Sequence, residues 1–161
     1  MLTLIQRCDP VAEPYGELLL PYDLRIRSRL RTRLASGEEA VLRTERGAML
    51  RGGEHLKSDD GRVVRVAAAA EKVMHIVCAD RFELTRAAYH LGNRHVPVEI
   101  GEGYLRIAAG HVLGDMLTGL GAKIEEIDAP FEPESGAYGG GHGHHDEAGH
   151  GGRIHQYQQK E

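Results

Sequence analysis

Histidine is the residue whose number and spacing in this sequence suggest chemistry. The chain has 161 residues and 10 histidines, half of which lie in a glycine-rich segment at its end. These are His142, His144, His145, His150 and His155. Neutral imidazole is a good ligand for divalent nickel, copper and zinc, and glycines between the ligands let the backbone fold around an ion without side-chain clashes. The segment therefore predicts metal binding without choosing the metal, and a solvated low-complexity end is the alternative interpretation.

The other histidines are spaced singly along the chain. His90 and His95 belong to the sequence YHLGNRH, at the predicted end of a helix, and His111 begins a second predicted helix. A protonated imidazole near a helix C-terminus is favoured by the helix dipole, and a ring nitrogen can bond to a carbonyl. His55 and His75 have no metal-ligand spacing. From the residues alone, a structural role is the favoured interpretation of each of these histidines.

The composition favours a small soluble protein and argues against several functional classes. A chain of 17.7 kDa allows one domain or two small ones, and 41% hydrophobic with 27% charged residues is a globular balance. The net charge of −4 and the isoelectric point of 6.2 argue against a protein built to hold nucleic acid. No HExxH or nucleophile motif accompanies the histidines, so a zinc hydrolase is disfavoured and no enzymatic activity is predicted.

Cysteine usage and hydropathy predict a cytoplasmic protein. Cys8 and Cys78 are far apart and form no CxxC pair. The first residues lack the apolar run of a secretory signal. No stretch approaches the roughly 18 consecutive apolar residues that span a bilayer. We therefore expect a reducing compartment and no membrane partner.

Residues 1–70 have the pattern of a small β domain. Between residues 24 and 34 arginines alternate with aliphatic residues, which is the period expected of a strand with one buried face. Five arginines are predicted on the solvent face of this strand, namely Arg25, Arg27, Arg29, Arg31 and Arg33. Further strands are predicted at 2–6, 18–20, 39–43 and 62–66. Asp60-Gly61 predicts a hairpin turn, because glycine tolerates the positive φ that the turn requires.

Residues 71–133 alternate between strand and helix patterns. Asp80 and Glu83 have the spacing of a capping box at the start of a helix that Gly92 can end, and Gly121 can end a second helix. The predicted elements are a strand at 73–78, the first helix, strands at 95–100 and 105–108, a helix at 112–120 and a strand at 123–127. This βαββαβ order is that of a ferredoxin-like domain, in which both helices cover one face of an antiparallel sheet. The predicted fold class is therefore α+β, with a domain junction at 67–70.

Residues 134–161 carry almost no large aliphatic side chains. Such a segment buries too little apolar surface to offset the entropy that ordering would cost. The sequence therefore predicts a disordered, histidine-rich tail after the second domain.

Several motifs occur together in one order along the chain. They are YHLGNRH at 89–95 followed by Val96-Pro97, HVLGDML at 111–117, PFEPESGAY at 130–138 and the histidine-rich end. In this respect the chain resembles the UreE family, the nickel metallochaperones that assist urease assembly. The match is close over the second segment and the tail. It is looser over the first, where it depends chiefly on the R-x-R strand, Arg46-Gly47 and residues 53–56.

The resemblance implies how a single histidine becomes a nickel site. In the family the last histidine of YHLGNRH, here His95, lies at the twofold interface of a homodimer, where two chains each contribute one imidazole. The family's G-H-x-H pattern falls on 141–144, which makes His142 and His144 the preferred partners of His95. Some relatives carry extra ligands just before the second helix, where this chain has 108–110 as Ala-Ala-Gly, so His111 is the weakest candidate ligand.

The resemblance also implies a function and partners. It implies a β domain likened to the peptide-binding domains of chaperones, a ferredoxin-like metal-binding domain, and delivery of Ni(II) to apo-urease through a complex that contains an accessory GTPase. Zn(II) or Cu(II) would compete as cargo. A general cytosolic buffer for nickel or zinc is the first alternative. The second is a module that uses the 25–33 arginine face to bind nucleic acid or acidic peptides, although the low aromatic content disfavours nucleic acid.

Overall fold

The computed structural model describes residues 1–47 and 49–135, which form two β-sheets and three helices. In chain order the elements are β1 (Leu2–Cys8), β2 (Gly16–Leu20), α1 (Tyr22–Arg25), β3 (Arg29–Arg33), β4 (Glu39–Arg43), β5 (His55–Ser58), β6 (Val63–Ala68), β7 (Ala70–Val77), α2 (Arg81–Gly92), β8 (Glu99–Gly101), β9 (Tyr104–Ala108), α3 (His111–Gly119) and β10 (Lys123–Pro130). The fold is thus α+β and rich in strands. No helix in this part of the chain is long and apolar enough to cross a membrane.

The first sheet has six strands in the order β2-β6-β5-β1-β4-β3. One face of it carries an aliphatic core that includes Leu4, Leu42 and Leu56, each with no exposed surface. The predicted hairpin at Asp60-Gly61 is confirmed, since β5 and β6 pair antiparallel around it and Gly61 has a φ of 91°. The residue pattern predicted neither β5 nor the parallel pairing of β1 with β4 and of β2 with β6.

The predicted strand at 24–34 is wrong in its first half. Residues 22–25 form α1, and the strand begins only at Arg29. Arg25, predicted on a solvent face, is completely buried. The reason is that its guanidinium donates to backbone carbonyls inside the protein. The alternation of arginines and aliphatic residues continues through this region, although the backbone changes from helix to strand.

The second sheet has four strands in the order β10-β7-β9-β8, and every pair in it is antiparallel. The predicted cap of α2 is confirmed, because the Asp80 carboxylate accepts a hydrogen bond of 2.8 Å from the Glu83 N–H. Leu91 of α2 and Leu117 of α3 are fully buried in one cluster with Ile76 of β7. Both helices therefore cover the same face of this sheet.

Two details of the second sheet differ from the sequence prediction. The strand predicted at 95–100 is shortened to β8, because His95 has a left-handed backbone and Pro97 has no N–H to donate to a neighbouring strand. The apolar stripe predicted for the second helix is only partly buried, since Val112 is 83% exposed.

Candidate metal centre

The end of α2 holds His95 in a tight, hydrogen-bonded turn. The N–H of Arg94 donates to the Leu91 carbonyl at 3.0 Å, and the N–H of His95 donates to the Gly92 carbonyl at 2.9 Å. These bonds satisfy carbonyls that the end of a helix leaves without partners in the helix. The backbone of the YHLGNRH motif is therefore fixed up to the residue that the resemblance singles out.

His95 combines a constrained backbone with an exposed side chain. Its φ of 54° is the only positive φ of a non-glycine residue within residues 1–47 and 49–135. Histidine, asparagine and aspartate are enriched in this left-handed region, which costs energy and often occurs at functional sites. The side chain is exposed, and the described residues give its ring no hydrogen bond. The imidazole therefore lies at the surface, where an external ligand can reach it.

The described histidines other than His95 have neighbours that account for their positions. His55 is buried, with Nδ1 3.0 Å from the Gly53 carbonyl. His75 stacks against Tyr104 with ring centroids 4.7 Å apart, and Arg106 Nε donates to its Nδ1 at 3.3 Å. These contacts are those of structural histidines.

His90 lies on the last turn of α2 beside Tyr89, with ring centroids 5.5 Å apart. Its backbone carbonyl accepts a hydrogen bond of 2.9 Å from Arg94. The side chain is half-buried. His90 therefore contributes to the packing of the turn that presents His95.

No group of three or more His, Cys, Asp or Glu side chains that could hold a metal ion occurs within the described part of one chain. The two cysteines are half-buried and form no disulfide. Burial raises the pKa of the Cys78 thiol, and the charges of Glu83 and Asp80 raise it further. A raised pKa disfavours the thiolate that binds metals, so imidazole is the better candidate ligand.

The remaining predicted ligands cannot be placed relative to His95. His111 begins α3, but its side chain lies outside the described part of the structure. The tail histidines also lie outside the described residues, and they are His142, His144, His145, His150 and His155. The structure therefore brings none of the predicted ligands together, and His95 is the one predicted ligand whose side chain it describes.

The residues that join the two sheets, near the turn that carries His95, were not predicted from the sequence. Arg25 is fully buried, and its guanidinium donates to the carbonyls of Leu20 at 3.1 Å and Leu50 at 2.9 Å, and also to that of Phe131. Arg25 Nη1 also lies 3.1 Å from Glu132 Oε1. One buried cation thus binds the segment after β10, residues 131–135, which we call the strap.

The strap also binds the second sheet close to His95. The N–H of Glu132 donates to Glu99 Oε2 at 2.7 Å, and the N–H of Glu134 donates to the Val98 carbonyl at 2.8 Å. Val98 is three residues after His95. The start of the tail is therefore held against the chain segment that carries His95. The available sequence signal was the motif PFEPESGAY, whose Phe131 is one of only two phenylalanines.

Comparisons with known proteins match the chain in two consecutive parts. Residues 5–69 match the family model described as UreE urease accessory protein, N-terminal domain, and residues 71–158 match the corresponding C-terminal domain. Three similar proteins carry the name urease accessory protein UreE. That of Pseudomonas savastanoi pv. phaseolicola is 55% identical over 150 residues, covering 92% of this chain and 90% of the relative.

The other two relatives come from different organisms. That of Nitrosospira multiformis is 52% identical over 152 residues, which is 94% of this chain and 86% of the relative. That of Ectopseudomonas mendocina is 49% identical over an alignment of 162 positions that covers 98% of this chain and 98% of the relative. The similarity therefore extends over nearly the whole length of the chain.

Proposed function

The chain belongs to the UreE family of urease accessory proteins, and from this membership we propose that it is a nickel-binding metallochaperone that delivers Ni(II) for assembly of the urease active site. The names of the relatives support the broader statement, a role in urease maturation. The observation that carries the nickel proposal is His95, an exposed imidazole on a constrained turn inside the region that matches the C-terminal family model.

The ligands of the proposed nickel site come from two copies of the chain. The described residues of one chain contain no group of three or more side chains that could hold a metal ion, and a lone imidazole holds an ion weakly. A twofold homodimer supplies each ligand twice. We assign His95 and its symmetry mate as the central ligands, with His142 and His144 completing the coordination. His145, His150, His155 and His111 are secondary candidates.

The position of the strap supports participation of the tail. Val98, which accepts the hydrogen bond from Glu134, is separated from His95 by at most about 11 Å of extended chain. His142 is seven residues after Ser135, a separation that spans at most about 25 Å when the chain is extended. The tail therefore starts near enough to His95 for its histidines to reach the proposed site.

A carrier needs moderate affinity. A micromolar site corresponds to about 8 kcal/mol, which captures an ion and still permits its release, whereas much tighter binding slows dissociation. Open ligation by exposed histidines suits this task better than a closed structural site with four protein ligands. Zn(II) and Cu(II) compete for the same imidazoles.

The proposed organisation of the chain follows the two sheets. We assign residues 1–70 to a β domain, 71–133 to the metal-binding and dimerisation domain, and 134–161 to the histidine-rich tail. The strand order β10-β7-β9-β8, with both helices on one face, supports placing 71–133 in the ferredoxin-like class. The cytoplasm is the proposed location, with the accessory GTPase and apo-urease as partners.

Deleting the gene from a urease-producing cell tests delivery against general metal buffering. A dedicated carrier predicts loss of urease activity at limiting nickel, while other nickel enzymes keep theirs. Re-expression should restore the activity, and the His95→Ala variant should not. An equal loss in all nickel enzymes would support the alternative function, a buffer without a dedicated client. Capture of the urease GTPase complex by the purified protein is the second measurement.

A further inference from the structure

Residues 95–98, which we call the histidine loop, connect the end of α2 to β8. The N–H of Val96 donates to a carbonyl of α2 at 3.3 Å. The side chains of Val96 and Val98 are half-buried against the core of the second sheet. Pro97 lies between them and has no N–H to donate. The end of α2 therefore fixes the first half of the loop, and the second half takes its position from the residues that follow it.

Glu99, the first residue of β8, is held from both sides. Its side chain is 12% exposed, and its Oε1 accepts a hydrogen bond of 2.9 Å from Arg106 Nη1. Its Oε2 accepts the N–H of Glu132 at 2.7 Å. Arg106 is itself fixed, because its Nε donates to His75 Nδ1 at 3.3 Å and its guanidinium lies 4.6 Å from the centroid of the Tyr104 ring. The Glu99 carboxylate therefore connects the strands β7 and β9 to the strap.

The strap also bonds directly to the last residue of the histidine loop. The N–H of Glu134 donates to the Val98 carbonyl at 2.8 Å, next to the bond between Glu132 N–H and Glu99. The other end of the strap is held by the buried Arg25, which donates to the carbonyl that precedes Glu132 and lies 3.1 Å from its carboxylate. The loop is thus tied to a segment that is fixed at both ends.

We propose that Glu99 is a positioning residue for nickel binding, which acts with the strap to hold the histidine loop in the arrangement that presents His95, and does not contact the ion. A ligand that is held in place before binding loses less conformational freedom when the ion arrives, and this raises affinity. The inference rests on the proposed function, in which His95 binds nickel. Coupling between two sites is reciprocal, so nickel must in turn stabilise the contacts of the strap.

Titration calorimetry of the full-length Glu99→Ala variant with nickel tests the role of the carboxylate. We expect the tight site to weaken about fivefold, the order expected for one hydrogen bond. Glu71→Ala is the matched control, since Glu71 Oε1 also accepts a backbone N–H at 2.7 Å, that of Tyr22, and this bond does not involve the histidine loop. Glu71→Ala should bind nickel as the unaltered chain does. Equal nickel affinities of the two variants would overturn the proposal, and urea unfolding verifies that both are folded.

Two substitutions at one position test the bond from the strap. Glu134→Pro and Glu134→Ala both remove an exposed carboxylate, but only proline also removes the N–H that donates to Val98. The difference between the two variants therefore isolates this hydrogen bond. We expect Glu134→Pro to bind nickel about fivefold more weakly than Glu134→Ala. The same affinity in both would contradict a positioning role of the strap.

Hydrogen exchange measures the reciprocal effect on residues 131–135. Nickel should slow amide exchange in this segment of the unaltered protein by about the factor that the strap contributes to affinity. His95→Asn, which keeps every histidine of the tail, should show no such protection. If His95→Asn loses the tight site while nickel leaves exchange in the unaltered strap unchanged, the positioning proposal fails alone. If His95→Asn keeps the tight site, the assignment of His95 as a ligand fails, and this inference fails with it.

Discussion

Arg25 Nη1 lies 3.1 Å from Glu132 Oε1, and the arginine of this pair is fully buried whereas the glutamate is 29% exposed. The pair joins α1, next to the first sheet, to the strap that follows the last strand of the second sheet. Glu132 Oε1 also accepts a hydrogen bond of 2.8 Å from the Gly52 N–H, and Arg51 Nη1 lies 3.4 Å from Glu132 Oε2. One carboxylate thus gathers three contacts from the first sheet and its loops.

Replacing Arg25 by Met should destabilise the protein by about 3 kcal/mol or more, because three buried carbonyls and Glu132 lose their cationic donor. Urea unfolding followed by circular dichroism measures the change. Arg33→Met is the matched control, since its ion pair with Glu39 has side chains that are 65% and 52% exposed. Such a surface pair is worth at most about 1 kcal/mol. A similar decrease in the free energy of unfolding for Arg25→Met and Arg33→Met would show that burial of Arg25 does not add to stability.

Replacing His95 should remove the tightest nickel site of the proposed homodimer. His95→Ala deletes the ligand but also places alanine at a φ of 54°, which adds strain. His95→Asn deletes the ligand and keeps a residue type that tolerates this backbone. Titration calorimetry should show loss of the tight site in both variants, and His90→Ala should retain it.

The assignment of His95 as a ligand is contradicted if His95→Asn binds nickel as tightly as the unaltered protein. The stabilities of the variants provide a separate measurement. Urea unfolding should give a lower free energy of unfolding for His95→Ala than for His95→Asn, by about 1 kcal/mol, because alanine is disfavoured in the left-handed region. Mass measurement should find that His95→Asn keeps the association state of the unaltered chain.

Ending the chain after Ser135 should lower the capacity or affinity for nickel without unfolding the sheets. The two clusters of buried aliphatic residues and the strap, as the structure describes them, consist of residues up to 135. We therefore expect the urea midpoint to stay the same. The full-length double variant His142→Gln and His144→Gln separates loss of ligands from loss of chain length. If the unaltered chain, the shortened chain and the double variant had the same nickel stoichiometry and affinity, the tail would be excluded from coordination.

Cys78 should react with iodoacetamide over a higher pH range in the folded than in the unfolded protein. Burial, followed by the charges of Glu83 and Asp80, raises the pKa of its thiol, so the reactive thiolate forms only at higher pH. A Cys8→Ser background isolates the signal, and mass spectrometry gives the alkylation rate at each pH. In urea the midpoint of the alkylation profile should return to the pKa of an ordinary thiol, about 8.5. A folded-state midpoint equal to or below the urea value would contradict the shift.

The sequence by itself determined the features that depend on neighbouring residues. The cap by Asp80, the turn at Gly61 and the strand period of 39–43 each follow from residues within one turn or one strand. These three predictions succeeded because the interactions that fix them are local. The resemblance carried by YHLGNRH also singled out His95 as a nickel ligand, and that assignment stays a prediction.

Tertiary structure alone decided the features that depend on distant partners. Alternation around residues 24–34 predicted an exposed Arg25, but the carbonyls that receive its guanidinium come from Leu20, Leu50 and Phe131, far apart in the chain. The parallel pairing of β1 with β4 is likewise a choice among strands with similar patterns. A residue pattern reports which positions favour burial. Only the folded chain supplies the polar partners that make a buried charge stable, and that is why the arginine belongs inside.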